Sequence, residues 1–150
     1  MVSVEDLKIS SFFNDLQDSY LVKIAKLCQK EVFQAEDVII DEGDKAEKIY
    51  VLMEGAIAIQ VRLKKYQHVV VSTAEKKGEL FGWSALVEPK SYSASVKCLK
   101  EVRALSINGE ELEKLFEEDP LMGLTFMKKI ASLIDNRFNA VRTRLVSTIS

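Results

Sequence analysis

Residues 48–63, with the sequence KIYVLMEGAIAIQVRL, decide the fold of this chain. In the second half of the stretch every odd-numbered position from Ile57 to Leu63 is apolar, which is the period of a β-strand with one buried face. The first half is rich in the β-branched and aromatic residues that strands favour. Glu54-Gly55 separates the halves and is typical of a tight hairpin turn, because glycine accepts a positive φ. The stretch therefore predicts two strands joined at Gly55.

Further strand patterns lie on both sides of this stretch, between about Glu31 and Ile107. They are EVFQA, VIID, HVVVSTA, SASVKCL and VRALSI, and turns are expected at Glu42-Gly43-Asp44 and at Lys64-Lys65-Tyr66-Gln67. Many short strands at this spacing are typical of a sandwich, a roll or a barrel. The predicted fold class is therefore mainly β with flanking helices.

The first 30 residues predict a helical segment that precedes the strands. Apolar side chains recur there at spacings of three and four, which places them on one face of a helix. These side chains are Leu21, Ile24, Ala25 and Cys28. Asp18 or Ser19 would begin the helix. Phe12 and Phe13 precede it, and we expect them to anchor the segment on the core.

Residues 108–150 predict two more helices. Asn108 is a suitable N-cap because Glu111 follows three residues later. Asp119-Pro120 would begin the second helix, with the aspartate as its cap and the proline in its first turn. From there apolar positions step by three or four over roughly 25 residues, about 40 Å of helix. They are Met127, Ile130, Ile134, Phe138, Val141 and Leu145.

This last helix is longer than a domain of 150 residues needs to cover its own core. The stripe formed by Ile134, Phe138, Val141 and Leu145 would then be exposed, and soluble monomers rarely tolerate such a patch. The simplest cover is the same stripe of a second copy, so we predict a homodimer through this interface. The alternative is a monomer in which the helix folds back or frays after Phe138.

The composition argues against several classes of protein. The chain of 150 residues suits one domain, and its net charge of −2 provides no overall basic field for nucleic acid or an anionic membrane. No apolar run approaches the ~20 residues that span a bilayer. The N-terminus has acids where a secretory signal would be basic and then apolar, so we expect a cytoplasmic protein without membrane contact. The acids of residues 110–119 and the bases of residues 126–150 suit solvated helix faces rather than a nucleic-acid surface.

The reactive residue types are too few for most enzymes. His68 is the only histidine, and it stands in a strand-like run of valines, so a histidine-rich metal site is not expected. Cys28 and Cys98 have apolar neighbours and form no CxxC pair, which favours two buried thiols in a reducing compartment. No motif of paired carboxylates or of an activated nucleophile is present. We therefore assign no catalytic residue, no metal site and no cofactor.

Nearly the whole chain matches one family pattern at its turns and apolar positions, mainly over residues 40–60 and 78–120. The matching segments are Phe33, Asp37-Val38-Ile39, Glu42-Gly43-Asp44, Glu47-Lys48-Ile49-Tyr50-Val51-Leu52, Glu54-Gly55, Gly78-Glu79-Leu80-Phe81-Gly82, Ser84-Ala85-Leu86, Ala94-Ser95-Val96, Leu105, Leu112 and Leu115. They resemble the cyclic-nucleotide-binding domain family, the sensor of catabolite activator proteins, of cyclic-nucleotide-regulated kinases and of related channels. The resemblance implies a double-stranded β-helix, a jelly-roll-like β-roll, over residues 31–107. The helical segment 1–30 and the helices of 108–150, one of them long, would complete one domain over residues 1–150.

The resemblance also implies a ligand site between Phe81 and Val96. In cyclic-nucleotide binders a helix start there forms an anion site. A glutamate after Phe-Gly binds the ribose hydroxyl, and an arginine shortly before Ala-Thr-Val pairs with the cyclic phosphate. Trp83 stands at the glutamate position of this chain and Tyr92 at the arginine position. Losing two hydrogen bonds to charged groups costs roughly 3–6 kcal/mol, about two to four decades of affinity, so Trp83 and Tyr92 disfavour a cyclic nucleotide.

A different ligand, either a small anion or a flat aromatic metabolite, would suit the same segment. Its candidate contacts are Phe81, Gly82, Trp83, Ser84, Ala85, Leu86, Lys90, Tyr92 and Ser95. The Trp83 indole would either stack on a flat ligand or fill the pocket as part of the core.

The sequence therefore predicts a non-catalytic regulatory or sensor module whose ligand specificity has changed or been lost, and which signals through its C-terminal helix. The alternative is a ligand-free module for dimerisation or protein interaction. Family members that bind DNA carry a helix-turn-helix domain after the long helix, whereas this chain stops at Ser150. We accordingly expect no direct DNA binding, and an output through dimerisation or a protein partner.

Overall fold

Eight antiparallel strands form two four-stranded sheets in the computed structural model, which describes all residues from 1 to 150. The strands are β1 (Cys28–Phe33), β2 (Val38–Ile40), β3 (Lys48–Glu54), β4 (Ile57–Lys64), β5 (Gln67–Ala74), β6 (Leu80–Phe81), β7 (Ser95–Cys98) and β8 (Val102–Asn108). The first sheet has the order β1-β8-β3-β6 and the second the order β2-β7-β4-β5. This arrangement confirms the predicted jelly-roll-like β-roll with flanking helices.

Four α-helices flank the strands: α1 (Val4–Lys8), α2 (Asp18–Leu27), α3 (Gly109–Glu118) and α4 (Pro120–Ile149). Both predicted caps are confirmed, since Asn108 accepts a hydrogen bond from the amide of Glu111 and Asp119 accepts one from the amide of Met122. α4 has 30 residues, longer than the stretch predicted from the sequence. None of the helices combines the length and the apolar composition that crossing a bilayer requires.

The core has two parts because the first sheet is buried on both faces. In β3, Ile49 and Val51 point towards the four helices, whereas Tyr50 and Leu52 point towards the second sheet. A strand covered on both faces loses the alternation of polar and apolar residues, which explains the continuous apolar run of β3. The molecule is therefore layered as helices, first sheet and second sheet.

The N-terminal segment is held against α4 by aromatic packing. The rings of Phe12 and Phe13 lie 5.0 Å and 6.1 Å from the ring of Phe126, with edge-to-face geometry. The expectation that these two residues anchor the segment is confirmed. The predicted helical segment ends earlier than expected, because Cys28 is already the first residue of β1 and pairs with Ile107 of β8.

The predicted hairpin at Glu54-Gly55 is wrong, although the positive φ expected at Gly55 is present, at 112°. β3 pairs with β6 and β8, while β4 pairs with β5 and β7, so the chain passes from one sheet to the other at this point. The tight turn packs on the segment before β8, where a Cβ on Gly55 would lie against the carbonyl oxygen of Glu101. The apolar face predicted for β4 is also incomplete, since Leu63 near the strand's end is 65% exposed.

Candidate functional site

A cavity of about 260 Å³ lies between the second sheet, the 3₁₀ helix Trp83–Leu86 and the second half of α4. Most of its lining is apolar. The lining side chains and backbone belong to Ile40, Ile59, Val61, Val71, Phe81, Gly82, Trp83, Ser84, Tyr92, Ser93, Ala94, Val96, Arg137 and Val141. The cavity therefore adjoins the ligand segment that the sequence pointed to, and it receives two further residues from a distant helix.

The turn at Gly82 directs the 3₁₀ helix into this cavity. β6 ends at Phe81, whose ring stacks on the ring of Tyr50 at 5.1 Å between centroids. Gly82 follows with a φ of 78°, and a Cβ there would lie 3.1 Å from the Ile40 side chain and 3.2 Å from the Lys48 carbonyl oxygen. Since an L side chain is disfavoured at that φ and lacks room, glycine is what lets the chain turn so close to β3.

The structure brings together some of the predicted ligand contacts and separates others. Phe81, Gly82, Trp83, Ser84 and Tyr92 line the cavity. Ala85 packs between the two sheets and Leu86 packs with the helices, so both belong to the core. Lys90 and Ser95 also lie outside the lining.

Lys90 forms an ion pair outside the cavity. Its ammonium group lies 2.7 Å from a carboxylate oxygen of Glu113 on α3, and this contact raises the pKa of the lysine. A second cavity, of about 150 Å³, adjoins Lys90 and also carries Glu47 and Glu110. The one cation of the predicted ligand loop thus faces acidic side chains rather than the apolar cavity.

Ser95 fixes a turn instead of facing a ligand. Its buried hydroxyl accepts a hydrogen bond from the amide of Glu42 at 2.9 Å. The carboxylate of Glu42 in turn accepts a hydrogen bond from the amide of Arg62 at 2.9 Å. The residue that resembles the family's threonine therefore joins β7 to the Glu42-Gly43-Asp44 turn.

Tyr92 places its ring in the cavity wall and its hydroxyl outside the cavity. The hydroxyl bonds to both the carbonyl oxygen and the amide of Lys48 in β3. Burial is the largest cause of the raised pKa of this phenol. Tyr92 is consequently a neutral structural residue at the position where the resemblance implies a charged one.

Arg137 is the charged residue of the cavity, and the sequence analysis did not select it. Its guanidinium carbon lies 5.3 Å from the centroid of the Trp83 ring, within the range of a cation–π contact. Burial lowers the pKa of Arg137, and the negative charge of Glu79 partly opposes that effect. A detectable pattern existed in the sequence. Ile130, Ile134, Arg137 and Val141 follow one another at spacings of four, three and four, so Arg137 is the charged member of an otherwise apolar helical face.

The remaining lining residues that the sequence analysis missed come from neighbouring strands and from the loop before β7. They are Ile40, Ile59, Val61, Val71, Ser93, Ala94 and Val96, with Val141 from α4. Ser93, Ala94 and Val96 lie within the predicted ligand segment but were not selected as contacts, and Val141 was selected only for the dimer stripe. The strand residues Ile40, Ile59, Val61 and Val71 are far from that segment in sequence, and no local pattern reveals their place in the cavity.

The candidate dimer stripe is largely free of intramolecular cover. Phe138 is 64% exposed, Leu145 is 59% exposed and Val141 is 37% exposed. Ile134 is half-buried because it still packs on the helical core. No group of three histidine, cysteine, aspartate or glutamate side chains lies close enough to hold a metal ion.

The family model of the cyclic nucleotide-binding domain matches residues 30–119. Among solved structures, a putative cyclic nucleotide-binding protein from Geobacter metallireducens is 30% identical in sequence and superposes with a TM-score of 0.81. That match covers 92% of this chain and 99% of the Geobacter chain.

Two curated relatives are channel proteins. A putative potassium channel protein from Rhodopseudomonas palustris is 25% identical over 83% of this chain. The alpha subunit of the rod photoreceptor cyclic nucleotide-gated channel from Gallus gallus is 26% identical over 91% of this chain. The chain spans only 29% and 20% of the lengths of these two proteins.

Proposed function

The chain belongs to the cyclic nucleotide-binding domain family of regulatory modules, and on this basis we propose that it is a non-catalytic sensor with a changed ligand specificity. In this proposal a small molecule binds in the cavity between the second sheet and α4. The bound molecule then alters the position or order of α4, which carries the response to a partner. The module acts by binding and not by catalysis.

One observation carries this proposal: α4 both lines the cavity and exposes apolar side chains on the surface. Arg137 and Val141 of α4 face the cavity across from Trp83. Phe138 and Leu145, on adjoining turns, are mostly exposed. A ligand in the cavity would therefore contact α4 directly, and any displacement would extend to an apolar surface that is available to a partner.

The changed specificity follows from what occupies the two anchor positions. Trp83 offers an indole where a carboxylate would bind a sugar hydroxyl, and the Tyr92 hydroxyl is already bonded to Lys48. A cyclic nucleotide would bury polar sugar and phosphate atoms against a wall that is mostly apolar. Unpaired polar groups of that kind weaken binding by about 1–3 kcal/mol each.

We propose a second copy of the chain as the partner of the exposed stripe. The stripe is apolar and periodic, and two identical stripes related by a two-fold axis would bury each other. Each large side chain contributes about 1.5–3 kcal/mol when fully buried. Phe138 and Leu145, which are mostly exposed, would supply most of this gain on both chains, against an association cost of about 4–15 kcal/mol.

The test measures thermal unfolding with a panel of small metabolites, including cyclic AMP and cyclic GMP, and then hydrogen exchange in α4. A ligand at one hundred times its Kd stabilises by about 2.7 kcal/mol, roughly 5–10 °C for a chain of this size. We expect one or more compounds other than cyclic AMP and cyclic GMP to raise the Tm and to slow exchange over residues 137–149.

Two results would contradict this function in different ways. A stabilising compound that leaves exchange in α4 unchanged would contradict signalling through this helix. If no compound in the panel raises the Tm, the alternative of a ligand-free dimerisation or interaction module is favoured instead.

A further inference from the structure

The lining of the cavity contains one cationic side chain and no acidic side chain. Arg137 is the only lining residue with an ionised side chain at neutral pH. The guanidinium takes part in none of the ion pairs of the chain. By contrast, Arg103 on β8 lies within ion-pair distance of both Glu54 and Glu101. Glu79 acts on this half-buried guanidinium through its charge but lies beyond ion-pair distance, so the donors of Arg137 remain available for a carboxylate.

The guanidinium of Arg137 contacts the indole ring of Trp83. The contact at 5.3 Å places the charged group over the indole ring and beside the cavity. A guanidinium in a cation–π contact still has N–H donors that can make a paired contact with the two oxygens of a carboxylate. A contact that restrains the group in advance reduces the entropy that binding would otherwise lose.

The rest of the wall selects for a ligand with an apolar body. The side-chain hydroxyls of the lining belong to Ser84, Ser93 and Tyr92, and that of Tyr92 is bonded to Lys48. Aliphatic side chains of the second sheet form most of the opposite surface. A sugar would find few partners there, whereas an aromatic ring or a short alkyl chain would find a matching surface.

The volume of the cavity suits a small molecule. An apolar cavity of about 150 Å³ holds benzene, and sites for drug-sized molecules begin at about 300 Å³. The cavity of about 260 Å³ lies between these values. One ring system, or a chain of comparable size, together with one anionic group would fill it.

We propose that the cavity binds a small aromatic or aliphatic carboxylate, and that Arg137 pairs with its carboxylate group. This inference rests on the proposed sensor function and names the ligand class of the same cavity. The anion is held by α4, whereas the resemblance places the anion-binding arginine in the loop before β7. A ligand held in this way would bridge the second sheet and α4 through its own charge.

The test compares acids with their neutral amides of nearly equal shape. Phenylacetate, indole-3-acetate and octanoate are titrated by calorimetry against the corresponding amides. Trp83 is the only tryptophan, so its fluorescence reports binding in the cavity independently. We expect at least one acid to bind about ten- to a hundredfold more tightly than its amide, the range for a hydrogen-bonded charge.

Three variants assign the preference to one side chain. Arg137→Gln should remove the preference for acid over amide while leaving the affinity for the amide within about threefold of the unmutated value. Arg137→Lys keeps a charge without the paired donors and should retain part of the preference. Arg142→Gln is the matched control, because Arg142 lies on the same helix, is exposed and does not line the cavity.

The outcomes separate this inference from the proposed function. Equal affinity for acids and amides in the unmutated protein would overturn the carboxylate class. A preference that survives Arg137→Gln, or that is lost equally in Arg142→Gln, would overturn the role of Arg137. If none of these acids and amides binds, and another metabolite raises the Tm, the carboxylate inference fails while the sensor function stands. If nothing raises the Tm, both fail.

Discussion

The hydroxyl of Tyr92 donates a hydrogen bond to the carbonyl oxygen of Lys48 at 2.6 Å and accepts one from the amide of Lys48 at 3.2 Å. One side chain thereby satisfies both main-chain groups of a residue in β3. The resemblance implies an arginine at this position, aimed at a phosphate. In this chain Tyr92 joins the loop before β7 to the first sheet. A cation that pairs with an anionic ligand would therefore have to come from another element.

Tyr92→Phe is expected to destabilise the fold. The substitution leaves the ring in place but removes the partner of two partly buried main-chain groups, which costs about 1–3 kcal/mol. Urea unfolding followed by circular dichroism measures the change. Tyr66→Phe is the matched control, because the Tyr66 side chain is 85% exposed in the β4–β5 turn. Equal stability of the two variants would show that the Tyr92 hydroxyl contributes nothing.

Gly55→Ala is expected to be far more damaging than Gly43→Ala. Both glycines have a positive φ, 112° and 92°, so both substitutions introduce backbone strain of about 1–3 kcal/mol. Only at Gly55 would the new Cβ also meet the Glu101 carbonyl and approach within 2.9 Å of the Val102 Cα. A Cβ added at Gly43 would have no atom within 4 Å. Similar losses of Tm in the two variants would contradict this account of the turn between the sheets.

Those two glycines also show how far the sequence could be interpreted. Gly55 was expected at a positive φ, and that is correct because φ is a local property of the residue. Its place between two sheets was not foreseen, because strand pairing depends on residues far away in sequence. The caps at Asn108 and Asp119 were foreseen for the same reason that φ was, since each bonds to an amide three residues later.

The candidate site likewise contains residues that local sequence could indicate and residues that only distant contacts place there. Trp83 and Ser84 were selected because the family resemblance places the ligand segment there, and they do line the cavity. Lys90 was selected by its place in the loop, but Glu113 from α3 pairs with it. Arg137 was missed because it is 54 positions from Trp83 in the chain (137 − 83), and only the fold places the two together.

The exposed stripe of α4 is expected to mediate dimerisation. Sedimentation at micromolar concentration should give a mass near twice the 16.9 kDa of one chain. Phe138→Glu combined with Leu145→Glu should shift the protein to monomer, since charges in a buried seam are strongly unfavourable. Val141 is avoided because it also lines the cavity.

The control for this experiment uses the other end of the same helix. Leu121 and Leu124 are 63% and 54% exposed and lie outside the stripe. Their replacement by glutamate should leave the dimer intact. A monomeric mass for the unmutated chain, or a dimer that persists in the Phe138 and Leu145 variant, would contradict the proposed interface.

Both cysteines are expected to be unreactive in the folded chain. Burial raises the pKa of Cys28 to about 12 and that of Cys98 to about 11. At pH 8 the reactive thiolate is then about a thousandfold or more scarcer than the thiol, whereas an unperturbed cysteine with a pKa near 8.5 is partly ionised. Modification by a disulfide reagent at pH 8 should be about a hundredfold slower in the native protein than in urea. Equal rates would contradict the burial of these thiols.

Calorimetric titration of the purified protein with cyclic AMP and with cyclic GMP tests the changed specificity, the central claim, most directly. The account predicts no binding tighter than a Kd of about 10 μM, or about −7 kcal/mol, because Trp83 and Tyr92 provide neither of the two charged anchors. A Kd below about 10 μM for either nucleotide, weakened when Trp83 is substituted, would contradict it.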